Sequence, residues 1–233
     1  MLESKKQFRI AAVKQLLVSS IMLSVQIIVF LVSAGNVPEP RPWIYFGIAF
    51  VHSSISIVVQ YKVNPQLVVQ RLQTKRKGSK LWDEVLMRIS NLMVIILIPA
   101  VAGLDVGRFQ WLSLDVYFSG IGVFFVILSS FLLNWAMAVN PHFEPTVRIQ
   151  AHQKCIARGP YSFVRHPGYL SGILFALSIP LIIGSALTFI PVAIYWVLII
   201  IRTWLEDNTL QRDLEGYPEY ANQTRFRLFP RIW

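Results

Sequence analysis

The residues of this chain best suited to chemistry fall in two short runs. The first is Arg158-Gly-Pro-Tyr161-Ser-Phe-Val-Arg165-His166-Pro167-Gly168-Tyr169, and the second, beyond an uncharged run from Gly168 to Ile201, is Arg202-Thr-Trp204-Leu-Glu206-Asp207-Asn-Thr-Leu210. A helical hairpin between them would fold one onto the other. Pro167 suits the first turn of a helix, where its missing donor would have no partner and its φ is already helical. Tyr169 then sits in that turn, and His166 with the first amides forms an acceptor-binding corner. Arg202 and Glu206 are four apart and share a helix face, with Asp207 offset by about 100°. Such a set suits a sulfonium methyl donor. Glu206 can take its ammonium or a ribose hydroxyl, basic side chains or backbone donors its carboxylate, and Tyr161, Tyr169 or Trp204 its apolar and cationic faces. In-line methyl transfer needs placement and desolvation more than acid–base power. Taken singly, each run also reads as ordinary structure: a loop at Arg-His-Pro, and an Arg202–Glu206 salt bridge ending a span.

The elements that must position these runs belong to a membrane protein. Hydrophobic residues make up 55% of the 233, charged residues only 15%, and mean hydropathy is +0.53, values outside the soluble range. The expected fold is all-α and polytopic, with about six transmembrane helices and a cofactor pocket at one face of the C-terminal part. Spans are expected at about 15–34, 43–60, 89–104 and 116–139, with Pro99 as a possible kink, then two short apolar stretches of about sixteen residues divided at Gly184-Ser185. Residues 105–115 read as a short turn, 61–88 as a basic connection that includes Lys75-Arg76-Lys77, and 210–220 as a short amphipathic helix. His52 and Asn134 read as polar groups bonding one helix to another. Residues 1–139 form an N-terminal four-span membrane region and residues 140–233 a C-terminal region of polar loop, short hairpin and tail.

Charge placement supplies an orientation and excludes a partner. The net charge is +10, yet the basic residues lie between apolar runs rather than along one domain, so nucleic acid is not the expected partner. Of the 22 lysines and arginines, all but Arg41 and Arg108 fall in the N-terminus, 62–88, 148–165 and 202–231. The positive-inside rule therefore puts both termini and both motif runs on the cytosolic face of a bacterial inner membrane or endoplasmic reticulum. The first apolar run is long enough to span and lacks a small-residue cleavage site, so it reads as a retained helix. Cys155, the single cysteine, has no partner for an internal disulfide and no metal-ligand spacing around it, so no metal is expected.

The two runs closely resemble the isoprenylcysteine carboxyl methyltransferase family and its phospholipid methyltransferase relatives. That pattern is Gly-x-Tyr, Arg-His-Pro-x-Tyr-x-Gly, a hydrophobic hairpin, Glu-Glu-x-x-Leu and a Tyr-x-x-Tyr tail; it is met here by Gly159-Pro-Tyr161, Arg165 to Gly172, Glu206-Asp207-Asn-Thr-Leu210, Tyr217-x-x-Tyr220 and Pro230. The resemblance covers roughly 140 to the C-terminus. It implies an integral-membrane methyltransferase using S-adenosylmethionine on a lipid-like or prenylated acceptor. It also implies cofactor contacts from Tyr161, His166, Pro167, Gly168, Tyr169 and Glu206, and from Gln153, Lys154, Cys155 and Ile156 just before Gly-Pro-Tyr. Arg202 falls where the family places an arginine for the methyl-accepting substrate, so Arg202 and Glu206 are the expected catalytic pair. A histidine usual at Gln153 is absent, with His152 one place earlier, and Asp207 replaces the second glutamate. Two other readings stand beside this one. Steroid and sterol reductases carry a similar Arg-His-Pro-x-Tyr-like run and bind NADPH, against which the acidic pair argues; a non-catalytic scaffold or carrier is the third reading, lowered by the lack of a repeat.

Overall fold

The structure is a computed structural model that describes residues 2–37, 39–72, 78–150 and 153–233. Lys75-Arg76-Lys77 and His152 lie outside the described residues. The elements are α1 (Leu2–Ala34), α2 (Arg41–Val63), α3 (Pro65–Arg71), α4 (Leu81–Phe109), α5 (Tyr117–Val139), a 3₁₀ turn at Gly159–Ser162, α6 (Pro167–Ile183), α7 (Phe189–Asp213) and α8 (Tyr217–Gln223). Among the described residues there is no strand, only an isolated bridge between Ser113 and Ser185. The expected all-α membrane architecture is therefore what the chain adopts. Five helices (Lys5–Ala34, α2, α4, α5 and α7) are long and apolar enough to cross a membrane, and α6 is shorter at 17 residues. At 1.5 Å per residue α6 reaches about 25 Å, short of a roughly 30 Å hydrocarbon core.

The six apolar helices alternate in direction, and side-chain contacts define two ends. At one end Arg108 donates to the Val32 carbonyl, Arg41 to that of Leu114 at 2.7 Å, and Ala186 N–H to that of Leu112. At the other, Gln15 meets Gln60, Asn64 reaches the Pro141 carbonyl, and Lys80 pairs with Asp213. Both motif runs lie at this second end. Between the ends, Phe30, Tyr45, Phe46, Ile98, Val126, Ile179, Ile182 and Val192 pack into one core, while Leu17, Ile21, Phe124, Ile127, Ile190 and Ile194 face outward, as lipid-facing positions must. Close helix approaches use small residues: a Cβ on Gly103 of α4 would lie 2.4 Å from the Phe30 carbonyl of α1, and one on Gly122 of α5 2.6 Å from Ile182 of α6. His52 is bonded to Ser130 of α5 and stacked on Phe175 of α6, an interhelical role as expected. Asn134 instead bonds the Ser130 carbonyl of its own helix.

Several boundaries differ from the sequence expectation, each for an identifiable reason. α4 begins at Leu81 rather than near 89 and runs through the presumed turn to Phe109. Its first turn holds Asp83 and Glu84, which complement the helix dipole, and Asp105 near its far end is buried with partners, so neither charge ends the helix. The helix opens into a π-type turn at Met93–Leu97, in the turn before Pro99, and into a second at Leu104–Phe109. The presumed connection 61–88 also contains α3. α7 has 25 residues, not about sixteen, because Arg202, Glu206 and Asp207 find partners and the helix passes through them. The presumed amphipathic helix over 210–220 is two pieces: α7 ends at Asp213, Gly216 takes φ +76° where a side chain is strained, and α8 begins at Tyr217.

Candidate active site

The loop after α5 is built inward from both ends. Asn140 caps α5, accepts the His142 N–H at 2.9 Å and donates to the Tyr161 hydroxyl at 3.0 Å. Tyr161 is buried in the 3₁₀ turn, and its carbonyl accepts the Tyr220 hydroxyl at 2.7 Å. The amides of Arg165 and His166 each donate at 2.9 Å to tail carbonyls, those of Phe226 and Arg227. His166 is thus the residue before a helix that starts at Pro167, as expected, but its own amide serves the tail and is not available to a ligand.

Asp207 is the centre that joins these segments. It is fully buried and accepts Nε and Nη2 of Arg165 at 2.7 and 2.9 Å, Nε of Arg227 at 2.8 Å, the Tyr217 hydroxyl at 2.9 Å and the Gln211 amide at 2.7 Å; His166 Nε2 lies 3.2 Å away. Arg165 also donates to the Thr224 and Arg225 carbonyls at 2.9 and 3.1 Å. One carboxylate therefore fastens the motif loop, α7, α8 and the tail together, with charge-assisted bonds that satisfy the buried cations. The sequence reading treated Asp207 as a shortened second glutamate and did not anticipate this. An isolated aspartate beside a glutamate carries no signal that separates the two; only their 100° offset on the helix does.

Glu206, on the adjacent face, turns into a cavity. Its carboxylate accepts the Tyr169 hydroxyl, lies 3.9 Å from His166 Nδ1 and stays partly exposed. The cavity has a volume of about 310 Å³ and is lined by Gln153, Lys154, Cys155, Ile156, Tyr161, His166, Pro167, Gly168, Tyr169, Arg202 and Glu206. The residues that the family resemblance assigned to the site are thus all on one wall or another of the same space, which is of ligand-binding size. Trp204 is exposed and is not among its lining residues. Gly168 permits a close wall: a Cβ there would meet the Phe143 ring at 2.6 Å. Arg202 and Glu206 do not pair with each other. Arg202 donates to Asp83 at 2.7 Å and to the Pro145 carbonyl at 2.5 Å, with its guanidinium 5.1 Å above the Tyr169 ring.

Asp83, Phe143, Asn140, Tyr217 and Tyr220 are residues of this end that sequence reasoning missed or left without a role. Tyr-x-x-Tyr spacing was a readable signal for the last two; Asp83 had none, being a lone acid far from either motif. Burial pushes the hydroxyls of Tyr161, Tyr217 and Tyr220 above their ordinary range, so all three remain protonated. Burial also raises the Cys155 thiol, and Glu219 raises it further. Three of the arginines at the cavity are held by carboxylates: Arg165 by Asp207, Arg202 by Asp83 and Arg148 by Glu144 at 2.6 Å. Among the described residues, no cluster of His, Cys, Asp and Glu is arranged to hold a metal.

Residues 121–212 match the sequence model of the isoprenylcysteine carboxyl methyltransferase (ICMT) family. No curated protein matches the chain. A solved structure of the eukaryotic intramembrane Ras methyltransferase ICMT is similar at a TM-score of 0.52 and 16% identity, over 88% of this chain and 71% of that one. At that identity the likeness is one of fold, and it spans the N-terminal helices that the family model does not reach. The family match starts inside α5, earlier than the motifs suggested, and stops one residue short of the end of α7. Together these findings bear out the resemblance read from the two motif runs: the chain is a helical membrane protein whose residues 121–212 match the isoprenylcysteine carboxyl methyltransferase family model.

Proposed function

We propose that this chain transfers a methyl group from S-adenosylmethionine to a lipid-like, membrane-borne acceptor, with the cavity open to the cytosol. The observation that carries this reading is the charge arrangement of the cavity: Glu206 presents a carboxylate among aromatic walls, while Arg165, Arg202 and Arg148 are each held by a carboxylate of the chain. A donor with an ammonium and a sulfonium fits that lining. A phosphate-rich nicotinamide cofactor would meet Glu206 where it needs cations.

The residues divide the work by position. Glu206, steadied by the Tyr169 hydroxyl, takes the ammonium. Tyr161 and Tyr169 give aromatic faces to the adenine and the cationic centre, and Phe143, set close by Gly168, closes that wall. Gln153, Cys155 and Ile156 line the adjoining side, and Lys154 at the rim supplies positive charge for the donor's carboxylate. His166 and Pro167 hold the start of α6 against α7. Arg202 faces the acceptor end. When bound, the donor supplies an electrophilic methyl carbon, and the chain contributes orientation and exclusion of water.

Calorimetry on the full chain in lipid nanodiscs, with S-adenosylmethionine, its demethylated product and NADPH, tests the proposal. Donor and product are expected to bind and NADPH not to; binding of NADPH alone would replace this reading with the reductase. Labelling of single cysteines placed near Arg41 and Arg108 on a Cys155→Ser background tests the orientation, and reaction only from the cytosolic side would reverse it.

A further inference from the structure

Asp83 stands at the start of α4, outside the stretch matched by the family model, and is fully buried. Both of its oxygens are engaged: Oδ1 accepts Arg202 Nε at 2.7 Å and Oδ2 accepts the Val147 N–H at 2.8 Å. The Arg202 side chain is only 10% exposed. The guanidinium that would meet an acidic acceptor therefore already holds a carboxylate of its own chain. The next charge on the same helix face, Glu206 one turn along, is another anion.

These facts bear on which reacting groups the acceptor end tolerates. A carboxylate brought to Arg202 either displaces Asp83, which is then left buried without its cation, or joins it as a second negative charge at close range. An amine nitrogen meets neither penalty, since it brings no second negative charge to the Asp83–Arg202 pair. Arg165 and Arg148 offer no substitute cation, since Asp207 and Glu144 hold them. Arg71 lies over the Phe143 ring at 5.5 Å, and Lys154 is exposed and assigned above to the donor's carboxylate.

Building on the methyltransferase reading above, we propose that Asp83 is a specificity-determining residue: its closed pair with Arg202 makes the cavity select an acceptor whose reacting group is an amine on an apolar chain, over a carboxylate. In that transfer an acceptor that arrives as ammonium first gives its proton to water, and the lone pair of the neutral nitrogen then forms the new nitrogen–carbon bond as the carbon–sulfur bond of the donor breaks. The electron pair of the broken bond stays on sulfur, and the methylated nitrogen releases its proton to water.

The test uses two probes of equal chain length, dodecylamine and dodecanoate. Each is titrated into the full chain in nanodiscs saturated with S-adenosylhomocysteine, with empty nanodiscs correcting for partition into lipid. The wild-type protein is expected to bind the amine at least about tenfold more tightly. D83N is expected to shift the ratio of the two affinities toward the carboxylate by about ten- to hundredfold, the span of one charge-assisted contact. D83E, which keeps the charge, is expected to keep the wild-type ratio. A merely structural Asp83 would weaken both probes together and leave the ratio unmoved, which overturns the proposal. So does a wild-type protein that prefers dodecanoate or binds neither probe, and this arm decides the matter even if D83N fails to fold. Failure of S-adenosylhomocysteine to bind would instead sink the methyl-donor reading on which the proposal rests.

Discussion

The two ends of this helical bundle each bury an aspartate almost completely, Asp105 at one and Asp207 at the other, and they use it in opposite ways. Asp105 is served by neutral groups: the Ser185 hydroxyl at 2.5 Å and the amides of Leu112 and Leu187 at 3.0 and 3.4 Å, with Thr188 bonded in turn to Ser185. The result is a closed knot that fastens the α4–α5 connection to the α6–α7 turn. Asp207 gathers two arginines, a histidine, a tyrosine and a glutamine from four segments, and beside it lies the cavity. Short neutral donors bring backbone close and leave no space, whereas long charged side chains reach in from separate segments and leave room between them. A buried ionisable residue in a membrane protein is thus not by itself a mark of chemistry. The charge and reach of its partners make the difference.

Breaking the two carboxylates separately should expose that contrast most strongly. Asp207→Asn leaves Arg165, which is buried, and Arg227, which is partly exposed, without their counter-charge and is expected to cost about 3–5 kcal/mol of stability, the range for one lost partner of a buried pair. Asp105→Asn keeps an acceptor oxygen for its neutral donors and should cost about 1–3 kcal/mol. Thermal unfolding in one detergent compares them directly. Equal losses would show that the cationic partners of Asp207 contribute no more than hydroxyls and amides do.

A second comparison sharpens the division between holding the fold and holding a ligand. Glu206→Gln preserves shape and removes the charge that faces the cavity, so donor affinity should fall about ten- to hundredfold, or about 1.5–3 kcal/mol, with little change in melting temperature. Asp105→Asn should do the reverse, losing stability while donor affinity is kept. Titration of S-adenosylmethionine against both variants checks this pair of outcomes. Loss of donor binding in Asp105→Asn, with the protein still folded, would mean that the closed end communicates with the cavity.

The smallest effect expected concerns Cys155 on the cavity wall. Its thiol is pushed up by burial and, secondarily, by Glu219. Because the thiolate is the reactive form and a raised value means less of it, alkylation at pH 8 should be slower than for a free thiol and should quicken as pH rises. Glu219→Gln removes one upward influence and should speed alkylation at pH 8 by a few-fold at most. A rate indifferent to both pH and this substitution would mean that access, not ionisation, limits the reaction.

Membrane class, helix count and the two motif runs were legible in the chain because they depend on local composition and on spacing along it. Apolar runs of sufficient length need no knowledge of their neighbours, and Arg165-His166-Pro167 with Glu206-Asp207 forms a recognisable pair separated by one apolar hairpin. The helix ends were less legible. Asp83, Asp105, Arg202 and Asp207 look like stop signals to a reader of hydropathy, yet each continues a helix because another segment supplies its partner. The division of labour between Glu206 and Asp207 was hidden for the same reason.

What the sequence determined by itself is the inventory: six apolar helices, one strongly basic set of connections, and two chemistry-bearing runs that a hairpin brings together. These follow from hydrophobic length and helical periodicity, which act residue by residue. Only the tertiary structure decided which acid stays open to a ligand and which is closed by cations, and that Arg202 is held by Asp83, 119 residues earlier in the chain. The physical reason is that the behaviour of a buried charge depends on whatever the fold sets within about 3 Å of it. Partners so distant in sequence leave no periodic trace in either segment.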